Sequence, residues 1–188
     1  MTQEEFIKQL DKKGYSYEIE GDKIIVTHNG HVDLSALTSL PPGVVFKNEG
    51  YVDLSALTSL PPGVEFRNRG GVDLYSLTSL PHGVVFKNEG HVDLQSLTSL
   101  PPGVVFKNGG SVNLRSLTSL PSGVEFRNGG DVNLYSLTSL PPGVVFKNGG
   151  DVGLKSIGEW FEYWKGNIEG IESNRLLNVM IKQRVFER

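Results

Sequence analysis

The sequence predicts an all-β repeat solenoid with ~20 residues per coil, closed by a helix and hairpin at its N-terminal end and by a helical cap at its C-terminal end. Three observations predict it. His31–Gly50 recurs at Tyr51, Gly71, His91, Ser111 and Asp131, with a truncated seventh copy from Asp151. Each copy reads x-V-(D/N)-L-x-(A/S)-L-T-S-L-P-x-G-V-(V/E)-F-(K/R)-N-x-G, so Val, Leu and Phe fall at fixed positions. Glycine and proline are numerous (23 and 10) but recur in register, which excludes an aperiodic disordered chain.

Three regions follow in chain order: a cap over 1–30, the solenoid over 31–158 and a second cap over 159–188. In the first, Thr2 and Glu5 have capping-box spacing, and Phe6, Ile7 and Leu10 make an apolar stripe. Gly14 is placed to stop the helix, which is read as Gln3 to Lys13. Tyr15–Glu20 and Lys23–Thr27 flank a Gly21-Asp22 turn and read as a β-hairpin. Ile24–Gly30 aligns with Val44–Gly50, so the second arm supplies the last side of a coil zero. An open solenoid end would expose core and unpaired strand edges, hence the cap.

Within each repeat, Val32-Asp33-Leu34-Ser35 alternates as a half-buried strand does. In the second segment Val44, Phe46 and Asn48 are expected inside, with Val45 and Lys47 outside. Leu34, Leu37 and Leu40 step by three, which suits a wall that turns. Pro41 stops pairing, and Gly43 and Gly50 are expected at corners that need a positive φ. The interior then holds ladders of Val32, Leu34, Leu37, Leu40, Val44 and Phe46 with their equivalents. Asn48 and its equivalents form a seventh ladder, expected to bond to neighbouring amides and to corner backbone groups.

The segments Val32-Asp-Leu-Ser and Leu37-Thr-Ser-Leu-Pro-Pro-Gly-Val44 resemble the L-x-L-S…L-T-S-L-P-x-x-L stretch of bacterial leucine-rich repeats. Over about Ile24 to Ile157 the chain is similar to the short LTSLP-type repeat proteins of bacteria and phages. That resemblance implies a binding scaffold, and it implies virion association as an alternative location. The Asn that follows the L-x-L strand in those repeats is missing, and Val44–Asn48 reads as a second strand. A straighter, all-β coil is therefore expected instead of a horseshoe with helices outside.

Outward columns are where function can be written, because stacking in register puts equivalent residues ~4.8 Å apart. Asp33, Asp53, Asp73 and Asp93 become Asn113 and Asn133, expected as a solvated, hydrogen-bonded row. Such a column offers too few oxygens per coil to complete a calcium shell, so no metal is expected. Beside it run Ser35, Ser55, Tyr75, Gln95, Arg115, Tyr135 and Lys155, the most varied column of a near-identical array. These two columns are the candidate binding face, with Tyr and Arg as anchors. Lys47 and its equivalents form a cationic column, balanced by Glu65 and Glu125 where Arg67 and Arg127 replace lysine. The Thr38 row sits at a bend, unlike the flat threonine rows of ice-binding solenoids. Trp160, Tyr163 and Trp164 belong to the aromatic C-terminal cap and are a possible docking site for a partner or a second copy.

The formal charge of −3 gives no electrostatic case for nucleic acid. There is no cysteine and no ~20-residue apolar run, and the first residues do not form a secretory signal. The four histidines form no triad with Ser and Asp, and no glycine-rich phosphate loop leads into a helix. The expectation is a cytoplasmic, non-enzymatic protein without catalytic residues or cofactor, acting on a protein partner, with self-association through the C-terminal cap as the alternative.

Overall fold

The protein is described by a computed structural model covering residues 1–141 and 143–154; the expected C-terminal cap, including Lys155, Trp160, Tyr163 and Trp164, lies outside the described residues. The architecture is a β-solenoid of about six coils. Helix α1 (Gln3–Lys13) begins on the expected capping box, the Thr2 hydroxyl accepting from Glu5 N–H and the Glu5 carboxylate accepting from Thr2 N–H. It ends on Gly14, whose φ of 69° is the left-handed stop. Strands β1 (Tyr17–Glu20) and β2 (Lys23–Val26) form the antiparallel hairpin.

Beyond the hairpin, every pairing is parallel and in register across 20 residues. Strand β2 pairs with β4 (Val44–Phe46), Ile24 beside Val44 and Val26 beside Phe46, which makes the hairpin arm the side of a coil zero. The same sheet continues through Glu65–Phe66, Val85–Phe86, Val105–Phe106, Glu125–Phe126 and Val145–Phe146 to eight strands. A seven-stranded sheet starts at β3 (Val32–Asp33) and runs through the equivalent pairs to Val152–Gly153. Strands of two or three residues suffice because all but those at the sheet ends are bonded on both sides. The Leu37–Gly43 wall carries no strand. It opens with a β-turn in which Leu37 N–H donates to Leu34 O at 2.9 Å, repeated in every later coil at about the same length.

All six apolar ladders are inside, and Phe46, Phe66, Phe86, Phe106 and Phe126 are fully buried. Successive phenylalanine rings lie 5.0–5.6 Å apart and 3–16° from parallel, a column that identical residues in register impose. Phe6 and Leu10 of α1 close the N-terminal end of this core. The free edge of β3 is covered differently. The Tyr15 hydroxyl accepts from Asp33 N–H at 2.9 Å, and Lys13 Nζ donates to Asp33 O. A Tyr15→Phe variant should lose about 1 kcal/mol in urea unfolding and expose the Asp33 amide to faster hydrogen exchange.

Three expectations need correction. The glycines at Gly43 and its equivalents do take positive φ (71–79°), but Gly50 and its equivalents in the later copies do not. What they require is room, since a Cβ on Gly50 would sit 2.4 Å from the Gly30 carbonyl carbon. Val45, expected outside, is 4% exposed in the first coil, although Val85 and Val105 are half-buried; Lys23 reaches across this part of the sheet to Glu65. The asparagine ladder has no amide-to-amide chain. Asn88 Nδ2 donates to Gly70 O, Gly90 O and His91 O at 3.0–3.2 Å, while its Oδ1 is buried without a partner.

Candidate functional site

The candidate face is the outer surface of the seven-stranded sheet and the turn that follows it. Its acidic column turns out to be half structural. Oδ1 of Asp33, Asp53, Asp93, Asn113 and Asn133 accepts from the backbone N–H two residues on, at 2.9–3.3 Å. This Asx turn holds the corner into the strandless wall and needs only an acceptor, which is why Asp and Asn interchange there. The expected hydrogen-bonded row is therefore present, with a role in the coil that alternation alone did not reveal. Asn113 Nδ2 also donates to both oxygens of Asp93 at 3.2 Å, joining the amide and carboxylate halves of the column.

Electrostatics sets two members of the column apart. The Ser35 hydroxyl and backbone N–H, aided by Lys13 3.5 Å away, hold the Asp33 carboxyl below its ordinary pKa. Asp73 is the opposite case. It is 7% exposed, and burial together with the neighbouring Asp93 charge pushes its carboxyl up. No Asx bond from Tyr75 N–H is present, and Asp73 Oδ1 is buried without a hydrogen-bond partner. His91 Nε2 stands 3.6 Å from that oxygen, too far to satisfy it.

Beside it lies position one of the repeat, whose role was missed. There the side chain caps the next coil: His31 Nδ1 accepts from Tyr51 N–H, Ser111 Oγ from Asp131 N–H, and Asp131 Oδ1 from Asp151 N–H, at 2.8–3.1 Å. Gly71 has no side chain to do this. The His91 ring lies over it instead, 2.3 Å from where a Gly71 Cβ would be, and meets the Tyr51 ring at 5.8 Å. The only sequence signal was a glycine standing where the other copies carry His, Tyr, Ser or Asp.

Asp73 therefore costs stability when charged. Its folded pKa lies above its unfolded value, so its contribution is full below the ordinary carboxylate pKa and is lost as pH rises through the raised one. Asp73→Asn should stabilise the protein by about 1 kcal/mol near pH 7 and by much less near pH 3, as followed by thermal unfolding.

The varied column lies beside these carboxylates. Tyr75 and Tyr135 are 38% and 53% exposed, the large exposed rings among the described residues, and Arg115 is exposed between them. Ser35 is tied to Asp33 through a 2.6 Å hydroxyl bond. The Asp73 and Asp93 charges raise the pKa of the Tyr75 hydroxyl. On the opposite sheet the expected charge balancing is present: Arg67 Nε donates to Glu65 at 2.8 Å, Arg127 Nε to Glu125 at 2.6 Å, and Arg69 pairs with Glu49 at 2.7 Å.

Among the described residues no group of three His, Asp or Glu side chains is disposed to hold a metal ion, and no helix is long and apolar enough to cross a membrane. No family model, curated protein or solved structure matches this chain.

Proposed function

We propose that the chain is a non-enzymatic recognition scaffold that presents the Asp33–Asn133 and Ser35–Tyr135 columns to a protein partner. The observation that carries this reading is the exposure of Tyr75, Arg115 and Tyr135 on a sheet otherwise built from near-identical coils. Amphipathic rings and guanidinium groups are the side chains that anchor protein interfaces, and a rigid frame adds little ordering cost on binding. The likeness of the coil to LTSLP-type repeats supports the same reading and a bacterial or phage source, with the cytoplasm or the virion as the place of action.

A photo-crosslinking amino acid at position 75 or 135, in cells expressing the protein, should yield a discrete protein adduct. The same group at position 87, on the opposite sheet, should not. Equal adducts from all three positions, or none from 75 and 135, would overturn the assignment.

A further inference from the structure

We infer that the notch above Gly71, walled by Tyr51 and Asp73 and covered by His91, takes the guanidinium of an arginine side chain from the partner. This rests on the binding-face reading and names the chemistry at one point of that face.

The notch is the one place among the described residues where the acidic column leaves a carboxylate oxygen buried with no hydrogen-bond donor. Asp53 and Asp93, one coil to either side, each hold a backbone N–H, and Asp93 also holds the Asn113 amide. Asp73 holds neither, yet lies between two like charges. A carboxylate kept buried in that setting lowers stability, which is the cost expected of a position shaped for a ligand. What Oδ1 lacks is a donor within hydrogen-bond distance, since His91 stands at ion-pair distance only.

The present occupant indicates the shape of that donor. His91 lays a flat, nitrogen-bearing ring across Gly71, against Tyr51, and stops 3.6 Å short of Asp73 Oδ1. Its side chain is half exposed, so it can swing clear. A guanidinium is also flat, carries donors at its rim and stacks on aromatic faces, so it can reach Asp73 while packing on Tyr51, whose ring the imidazole meets only at a 41° tilt. A lysine ammonium offers the charge but not the plane. Charge complementarity favours the same ligand, because coils two to four present Asp53, Asp73 and Asp93 on this face with Arg115 only in the fifth.

The test is a titration of the uniformly 15N-labelled chain with the capped peptide Gly-Arg-Gly-Arg-Gly, followed by amide chemical shifts. The largest shifts should fall at Gly71, Asp73, Tyr75 and His91. Asp73→Asn should weaken the peptide at least tenfold, His91→Ala should strengthen it severalfold by removing the competing ring, and Glu125→Gln on the opposite sheet should change nothing. Equal binding by the lysine counterpart, shifts elsewhere on the surface, or unchanged affinity in Asp73→Asn would each overturn the inference. Adducts at positions 75 and 135 that survive Asp73→Asn would keep the scaffold reading and remove the arginine.

Discussion

Replacing Gly90 with alanine is expected to lower stability by roughly 4 kcal/mol or more, an exceptional loss for one methyl group. A Cβ there would lie 2.4 Å from Gly71 N and 2.5 Å from the Gly70 carbonyl carbon. Both are backbone atoms of the preceding coil, so no rotamer change makes room. The coils must part, and the 3.2 Å bond from Gly90 N–H to Gly70 O parts with them. Gly83 is the control. Its φ is 77° and nothing lies within 4 Å of an added Cβ, so Gly83→Ala should cost only ~1–2 kcal/mol of left-handed strain. Urea unfolding of the two variants separates the mechanisms, and equal losses would contradict the close-approach account.

Asn88→Asp should be nearly as damaging, at ~3–5 kcal/mol near neutral pH. The Asn88 amide donates to three carbonyls, and its oxygen faces no donor. A carboxylate there would set a buried charge against three oxygens. Its folded pKa would rise above the unfolded one, so part of the loss should return on acidification as the group protonates. Asp93→Asn provides the contrast. Asp93 accepts from Gln95 N–H and from the Asn113 amide and donates nothing, and Asn113 and Asn133 already serve in the turn, so that exchange should stay within about 1 kcal/mol. Chemical unfolding of both variants between pH 4 and 7 checks the pair. A mild Asn88→Asp would mean the ladder is not the donor row described.

These predictions mark where sequence reasoning stops. The helix with its capping box, the Gly21-Asp22 hairpin turn, coil zero and the six apolar ladders were all legible. Each depends on local spacing or on a side chain's wish to leave water, and a strict period repeats that signal six times. Asn48 was placed inside correctly and its corner backbone partners were expected, but the expected amide-to-amide bonds are absent, because an amide can bond either way until the surrounding carbonyls are positioned. Gly50 was marked as a corner for the wrong reason: letters alone do not distinguish a glycine needed for φ from one needed for clearance.

The candidate face divides in the same way. Its columns and their variation could be read directly from the repeat, whereas the Asx turns, the caps at position one and the Gly71 notch could not. The sequence by itself determined the period, the inward set and the surfaces left over, since burial and backbone propensity act within one coil. Only the tertiary structure decided what each polar residue does, because its partners are backbone groups placed by the folded corner or groups about one coil away along the axis. A single departure such as Gly71 changes those partners for its neighbours. His91 and Asp73 are ordinary letters of the repeat until position one of Asp73's own coil loses its side chain.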